Sequence, residues 1–334
     1  MDKLNVSYNA YNLTAVNKIQ IDLLKAVGLL LIILAHVDPG YFLMQLRVFD
    51  VPLMVLISGY LSVKSFSKTK TISQYYLKRL LRLYLPTALF LTFFFLFYKL
   101  TEYPFPFSWK VIYRSYFLLF SKTIGYVWII RVFLLCTLIT PLIIYYKKYI
   151  FSKVGILFLF GMYVFYEFLI NMIQPSEIVS EFVFYALGYG IVLVLGMALH
   201  VLSKKSIYIL SGIFGFIYCC IAGYLYYKHQ HYISVQNYKY PPQIYYLSYS
   251  LCVSFFLYAV TTNINLKGCV YDIIKFISRY SLSIYLWHIF FLYLIQFNKI
   301  ILPWYILYII ILISSSLMAY ILSKCKTKFL VCKL

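Results

Sequence analysis

The chain has 334 residues, of which 63% are hydrophobic and 12% are charged. A soluble domain carries about 25% charged residues, so this composition excludes a soluble enzyme built of two or three domains. The net charge of +21 needs no nucleic-acid partner, because basic side chains orient membrane proteins and bind anionic lipid headgroups. We therefore predict an all-α integral membrane protein, a single polytopic domain over residues 1–334 that contacts membrane lipid and no nucleic acid.

Ten apolar windows have a length that suits, or nearly suits, a membrane-crossing helix. They cover residues 19–37, 47–63, 83–98, 127–146, 154–173, 182–202, 206–227, 243–262, 280–297 and 301–322. With the amino terminus in the cytoplasm, two-thirds of the 30 lysines and arginines fall in internal segments. The positive-inside rule then predicts about ten transmembrane helices, with the amino-terminal segment 1–18 and the tail 323–334 both cytoplasmic.

The first window carries Asp22, Lys25 and His36. On a helix, the eleven steps from Lys25 to His36 give about 16 Å of rise and roughly three full turns, so both side chains leave nearly the same face. Ionisable residues inside a membrane helix cost ~2.5–3.5 kcal/mol and usually face a partner or a water-filled cavity. We predict a catalytic site in which Asp22 holds Lys25 charged and oriented. His36, whose ordinary pKa is about 6.5, would accept a proton from a hydroxyl. In the alternative interpretation, Lys25 reaches the headgroups and His36 marks the end of the span.

A basic run precedes the third window. It contains Lys78, Arg79 and Arg82, and the two arginines are three residues apart on one helix face. Arginine forks match phosphate oxygens, so the run predicts a docking site for a cytoplasmic nucleotide-bearing donor such as acyl-CoA. The alternative interpretation is that these cations only orient the protein in the membrane.

Polar residues also occur in later windows. Arg131 and Glu167 lie in neighbouring antiparallel windows and are predicted to form a structural ion pair, with a substrate contact as the alternative. Ser281, Tyr285 and His288 share roughly one face of the ninth window and could line a cavity or pack one helix on another. The cysteines lack metal-ligand spacing and a lone His-x-His in a loop is weak evidence, so no metal site is predicted.

These motifs resemble a known family. Asp22-x-x-Lys25 followed by His36 is similar to the first-helix motif of the acyltransferase-3 membrane proteins, which acylate carbohydrate and other hydroxyls. Three further stretches resemble its second-helix, third-helix and late signatures in the same order, namely FDVPLMVLISGYL (49–61), KRLLRLYLP (78–86) and YSLSIYLWH (280–288). The resemblance covers nearly the full length. The first basic residue in that family is most often Arg. Lys25 keeps the charge but not a bidentate contact, as in a subset resembling capsule and fucose O-acetyltransferases.

The resemblance implies a donor, an acceptor and a location. The donor would be acyl-CoA, usually acetyl-CoA from the cytoplasmic side, with no tightly bound cofactor. The acceptor would be a hydroxyl of a surface-polysaccharide sugar or its lipid-linked precursor, of the O-antigen or capsule type, in a bacterial plasma membrane. Lys25 matches the essential basic residue and His36 the essential histidine. His36 would deprotonate the hydroxyl or carry the acetyl group, and Lys25 would offer charge to the donor or to a developing oxyanion.

Two other classes of membrane protein remain as alternatives. A lipid-linked sugar flippase or other transporter would also use intramembrane Lys, Arg and His, but often has inverted repeats, which this sequence lacks. A polysaccharide polymerase commonly carries a large external loop, whereas the longest predicted here is 99–126. Loss of one acetyl group from the surface glycan would favour the acyltransferase, and loss of the chain or of its export would favour the alternatives.

Overall fold

A computed structural model of the chain describes residues 15–101, 107–120, 123–172, 176 and 179–331. The regular secondary structure of these residues is entirely helical, which confirms the all-α class. The α-helices are α1 (Ala15–Ala35), α2 (Tyr41–Leu46), α3 (Asp50–Ser67), α4 (Ile72–Leu100), α5 (Trp109–Tyr116), α6 (Trp128–Tyr145), α7 (Lys147–Ile150), α8 (Lys153–Met172), α9 (Tyr185–Ala198), α10 (Lys204–His229), α11 (Ile244–Thr261), α12 (Gly268–Arg279), α13 (Ser281–Phe297) and α14 (Trp304–Val331). A π-helical turn, Ser180–Phe184, leads into α9, and a 3₁₀ turn, Val235–Tyr238, lies between α10 and α11. Most of the predicted amino-terminal segment and the last three residues of the predicted tail lie outside the described residues.

The protein is a multi-pass membrane protein. Each of the ten predicted windows coincides with a helix. Seven helical segments of the described chain are long and apolar enough to cross a membrane, and α12 with α13, bent by 76°, make an eighth if the pair is one span. Of the two remaining windows, the first falls on α1, which carries Lys18, Asp22 and Lys25, and the other on α8, whose apolar part is only Leu157–Met172. The count of about ten crossings and the cytoplasmic termini stay predictions.

The centre of the bundle is formed where α3 crosses α9. A Cβ atom on Gly59 would lie 2.4 Å from the carbonyl oxygen of Leu193, and one on Gly196 would lie 2.1 Å from that of Leu56. Glycine at both positions lets the two backbones touch, which is the usual way that membrane helices pack closely. The helix α1 packs against α3, α12 and α13, so its polar face is directed into the bundle.

The outer surface is apolar. Large side chains are exposed along α4, α8, α10 and α14, for example Leu89, Phe160, Phe216 and Ile313. Exposed apolar surface of this extent is unfavourable in water and suits contact with lipid chains. The polar side chains that could carry chemistry therefore lie in the interior, around α1, α3 and α13.

Candidate active site

Two cavities lie inside the bundle. The first, which we call the basic cavity, has a volume of about 430 Å³ and is lined by five cations, Lys25, Lys64, Lys68, Arg79 and Arg82. Its described lining contains no carboxylate. The second, the histidine cavity, has a volume of about 340 Å³, and its polar lining includes His36, Arg47, Asp50, Gln236 and Lys239. Both volumes fall in the range of about 300–1,000 Å³ that is usual for ligand sites.

The cavities lie toward opposite ends of the bundle. Along α1 the chain passes from Lys25 in the basic cavity to His36, which follows the last residue of the helix. Along α3 it passes in the reverse order, from Asp50 in the histidine cavity to Lys64 in the basic cavity. The positive-inside rule, applied to the lysines and arginines between the helices, predicts that the basic cavity faces the cytoplasm.

One wall is common to both cavities. Ile32 of α1, Ile129 of α6 and Tyr285 of α13 line each of them, and we call these three residues the shared wall. Tyr285 is buried, and its hydroxyl donates a hydrogen bond to the carbonyl oxygen of Tyr126. Among the described residues, the two cavities therefore share only two apolar side chains and one hydrogen-bonded phenol.

His36 is held by a second histidine. Its Nδ1 atom lies 2.8 Å from Nε2 of His288, and the rings stack with centroids 5.0 Å apart. Nδ1 of the buried His288 in turn contacts the carbonyl oxygen of Tyr285, which can only accept a hydrogen bond. With neutral rings, His288 therefore donates from Nδ1 and accepts at Nε2, so His36 donates from Nδ1. This tautomer leaves the lone pair of His36 on Nε2, where it can take a proton or attack a carbonyl carbon.

Lys25 belongs to a second hydrogen-bonded group. Its Nζ donates to the backbone carbonyl of Ser278 at 2.7 Å and to the Ser278 hydroxyl at 3.1 Å. That hydroxyl donates to Oδ1 of Asp22 at 2.6 Å. Ser278 therefore links the two charged residues and fixes the ammonium group at the basic cavity. Asp22 acts on the position of Lys25 through this serine.

A buried cluster of charges lies in the histidine cavity. Nη1 of Arg47 is 2.5 Å from Oδ2 of Asp50, and Nζ of Lys239 is 3.4 Å from Oδ1 of the same carboxylate. Sequence analysis missed this cluster. The i, i+3 spacing of Arg47 and Asp50 at the start of a span was a usable signal, but nothing local indicates that Lys239, in a loop almost 200 residues later, joins them.

With this geometry in view, comparison with known proteins decides the family. The family model described as "Acyltransferase domain" (Acyl_transf_3) matches residues 18–324. The chain belongs to the acyltransferase-3 family. No curated protein and no solved structure matches it. The predicted resemblance is confirmed, and the two cavities are those of a multi-pass membrane acyltransferase.

The polar residues predicted for the site of this acyltransferase are divided between the two cavities. Lys25, Arg79, Arg82, Ser281 and Tyr285 line the basic cavity. His36 and, again, Tyr285 line the histidine cavity, and His288 lies directly behind His36. Lys78 is exposed and is not among the residues that line either cavity. Lys25 and His36, predicted to share one helix face, line different cavities, and His36 follows the last residue of α1.

The predicted ion pair of Arg131 with Glu167 is wrong. Arg131 pairs instead with Glu181, which the π-helical turn before α9 brings against α6. Glu167 accepts a hydrogen bond from the backbone N–H of Ile244 at 3.0 Å, at the start of α11. Among the described lining residues of the two cavities, neither Arg131 nor Glu167 occurs. The contacts found for Arg131 and Glu167 are thus the pair with Glu181 and the hydrogen bond from Ile244.

Proposed function

We propose that this acyltransferase moves an acetyl group from acetyl-CoA to a hydroxyl of a surface-polysaccharide sugar or its lipid-linked precursor, in the plasma membrane of a bacterium. One observation carries the proposal. A cation-lined cavity and a cavity with an available imidazole lone pair lie toward opposite ends of one bundle and share a wall. This arrangement suits a donor and an acceptor that approach from opposite faces of the membrane.

The basic cavity suits the donor. Its five cations match the phosphates of coenzyme A in charge, and arginine binds phosphate through parallel hydrogen bonds. Arg79 has a buried Nε atom without a hydrogen-bond partner, so it can still donate to a phosphate oxygen. The thioester would then extend toward the shared wall. Because Lys25 is about 16 Å from His36 along the helix axis, we assign its charge to the donor and not to an oxyanion beside His36.

The histidine cavity suits the acceptor. Nε2 of His36 takes the proton of the acceptor hydroxyl as the hydroxyl oxygen attacks the thioester carbon. The carbon–sulfur bond breaks, and the coenzyme A thiolate receives the proton from the imidazolium. In a covalent route, Nε2 attacks the thioester carbon and coenzyme A leaves as the thiolate. The acceptor hydroxyl then attacks the acetyl-imidazolium, the carbon–nitrogen bond breaks to free Nε2, and the hydroxyl proton passes to the thiolate. Both routes require the thioester carbon to reach Nε2 past the shared wall.

The decisive experiment separates donor and acceptor by a membrane. Purified protein is reconstituted into liposomes that enclose the host glycan precursor, and radiolabelled acetyl-CoA is added outside. We expect label in the enclosed glycan, and no label when the liposomes lack protein. Glycan that leaves the liposomes without acetyl-CoA would support a transporter instead. Folded protein that binds acetyl-CoA but labels no glycan precursor from its host would contradict the proposal.

Replacing an arginine that lines the basic cavity should selectively weaken binding of the donor. We expect Arg79→Gln to raise KM for acetyl-CoA roughly tenfold with little change in kcat, because a charge-assisted hydrogen bond to phosphate is lost. Steady-state kinetics with varied acetyl-CoA measures this. The matched control is Lys78→Gln, which removes the same charge from a neighbouring residue that is exposed and does not line the basic cavity. An equal rise in KM in both variants would show that general surface charge, and not the basic cavity, holds the donor.

His288 should act as a positioning residue. His288→Ala removes the acceptor for the Nδ1 hydrogen of His36, so the tautomer with its lone pair on Nε2 is no longer favoured. We expect kcat to fall by roughly 10–100-fold, as for other residues that orient a reacting group, with KM for acetyl-CoA unchanged. Glutamine can accept from His36 and donate to the Tyr285 carbonyl, so His288→Gln should restore part of the rate. Equal losses in both variants would assign His288 a packing role only.

A further inference from the structure

The charged cluster of the histidine cavity is not used by the chemistry above. We propose that Arg47 and Lys239 form a subsite for an oxyanion on the acceptor, with Gln236 accepting a hydrogen bond from a neighbouring hydroxyl, so that the acceptor is an acidic sugar carrying a carboxylate or a phosphate near its reacting hydroxyl. The inference rests on the proposed function for the role of the cavity, but binding of the anion can be tested without acetyl transfer.

Positive charge exceeds negative charge in the cluster. Arg47 and Lys239 are only 4% and 2% exposed, and Asp50 is the single carboxylate that both contact. It is also the only acidic residue in the described lining of this cavity. The cluster therefore carries one excess positive charge in a buried place. A buried charge without a partner is unfavourable, and an anion entering the cavity would balance it.

Two polar atoms of the proposed subsite have unused hydrogen-bonding capacity. The Nε atom of Arg47 and the Oε1 atom of Gln236 are buried and have no hydrogen-bond partner. Both residues line the cavity. A guanidinium N–H without a partner can donate a hydrogen bond to an oxyanion. An amide oxygen without a partner can accept a hydrogen bond from a hydroxyl. A sugar that bears a carboxylate or a phosphate offers both groups on one small molecule, whereas a neutral sugar offers only the second.

The position of the cluster also suits a subsite for the acceptor. The cluster and His36 line the same cavity, and the aromatic rings of Tyr126, Trp128 and Tyr240 complete its wall. Lys239 is held over the rings of Tyr240 and Tyr246, with Nζ 5.5 Å and 6.0 Å from their centroids. The ammonium group is thus fixed by packing before a ligand arrives. An anion bound there would orient the rest of the sugar within the cavity that holds the base.

Lys239 is the residue to change. Lys239→Met removes the excess charge and leaves Arg47 paired with Asp50, so the cluster becomes neutral and no buried ion loses its only partner. Lys239→Arg is the matched control that keeps the charge. Replacement of Asp50 is a poor test, because it would leave two buried cations together and favour unfolding.

The experiment measures binding to detergent-purified full-length protein in the absence of acetyl-CoA. The probes are glucuronate, glucose 1-phosphate and the neutral methyl ester of glucuronate, and the readout is the ligand-dependent rise in Tm, from which Kd follows. We expect both wild type and Lys239→Arg to bind at least one anionic probe more tightly than the ester. Lys239→Met should bind that probe roughly tenfold more weakly, as expected for a lost hydrogen bond to a charged group.

The two anionic probes distinguish the source of the charge. Preference for glucuronate indicates a carboxylate sugar, preference for glucose 1-phosphate indicates a sugar phosphate, and each supports the subsite. Equal binding of the ester and both anions by wild type would overturn the proposed oxyanion subsite. An anion preference that persists in Lys239→Met would also overturn it. Loss of coenzyme A binding in Lys239→Met would assign the cluster to the donor and also overturn it. None of these results depends on whether His36 transfers acetyl groups.

The pH dependence gives a second readout. Lys239 lies in the loop between α10 and α11, and burial lowers the pKa of its ammonium group to about 8, although the Asp50 carboxylate opposes this shift. The groups that face it are Asp50, Arg47, His36 and the rings of Tyr240 and Tyr246. Lys239 is charged below pH 8, so the anion preference of wild type should fall as pH rises from 7 to 9. The preference should persist at pH 9 in Lys239→Arg, and its loss there would count against the subsite.

Discussion

His36→Ala should lower the rate of acetyl transfer by about 10²–10⁴-fold, the usual range for loss of a positioned general base. His36 is the residue of the histidine cavity whose Nε2 keeps its lone pair, because His288 and the Tyr285 carbonyl fix the tautomer through Nδ1. Alanine removes that lone pair in the direct route and the acetyl carrier in the covalent route. Transfer from radiolabelled acetyl-CoA to the glycan precursor, followed in a single turnover, measures the loss.

The donor site provides the control for this variant. The basic cavity is lined by other residues and lies about 16 Å away along α1, so His36→Ala should bind acetyl-CoA with wild-type affinity. A folded His36→Ala protein with wild-type transfer would remove His36 from both routes. Wild-type protein quenched with acetyl-CoA but without acceptor distinguishes the routes, since only the covalent route leaves label on the protein.

Local properties of the sequence predicted most of the fold. Each apolar window coincides with a helix because hydropathy is summed over about 19 consecutive residues, which is the length of one membrane-crossing helix. The α1 face was predicted locally as well, since Lys25 and His36 are related by helix geometry alone. The two side chains line different cavities because the same eleven steps that predict a shared face also separate them along the axis.

Contacts between distant segments were less predictable. Glu167 and Glu181 both follow Arg131 in the sequence, and each is a possible partner for it. The π-helical turn that brings Glu181 to Arg131 has no recognisable local sequence signal. Lys239 lies in a polar loop that would be assigned to solvent, yet it is 2% exposed. His288 shares a face with Tyr285 in the sequence, but only the crossing of α1 and α13 shows that it faces His36. Such contacts depend on how helices cross, which one sequence does not specify.

The buried ion pair of Arg131 with Glu181 should be a sensitive structural contact. Its two side chains are 3% and 6% exposed, and Glu181 also accepts a hydrogen bond from the backbone N–H of Phe120 at 3.0 Å. Arg131→Met breaks this buried ion pair, which costs about 3–5 kcal/mol. We expect a lower Tm in detergent. Because Phe120 lines the histidine cavity, we also expect a higher KM for the acceptor than for wild type.

A double variant separates the contribution of the ion pair from that of arginine packing. Arg131→Met combined with Glu181→Gln removes both charges and keeps an amide oxygen that can accept from Phe120, so most of the lost stability should return. Glu167→Gln is the matched control, since that carboxylate accepts from the Ile244 backbone and an amide oxygen can do the same; its Tm should change least. If the double variant is no more stable than Arg131→Met, the loss arises from the packing of the arginine against Phe182 and Tyr185. In that case the hydrogen bond from Phe120, and not the ion pair, would position this wall of the histidine cavity.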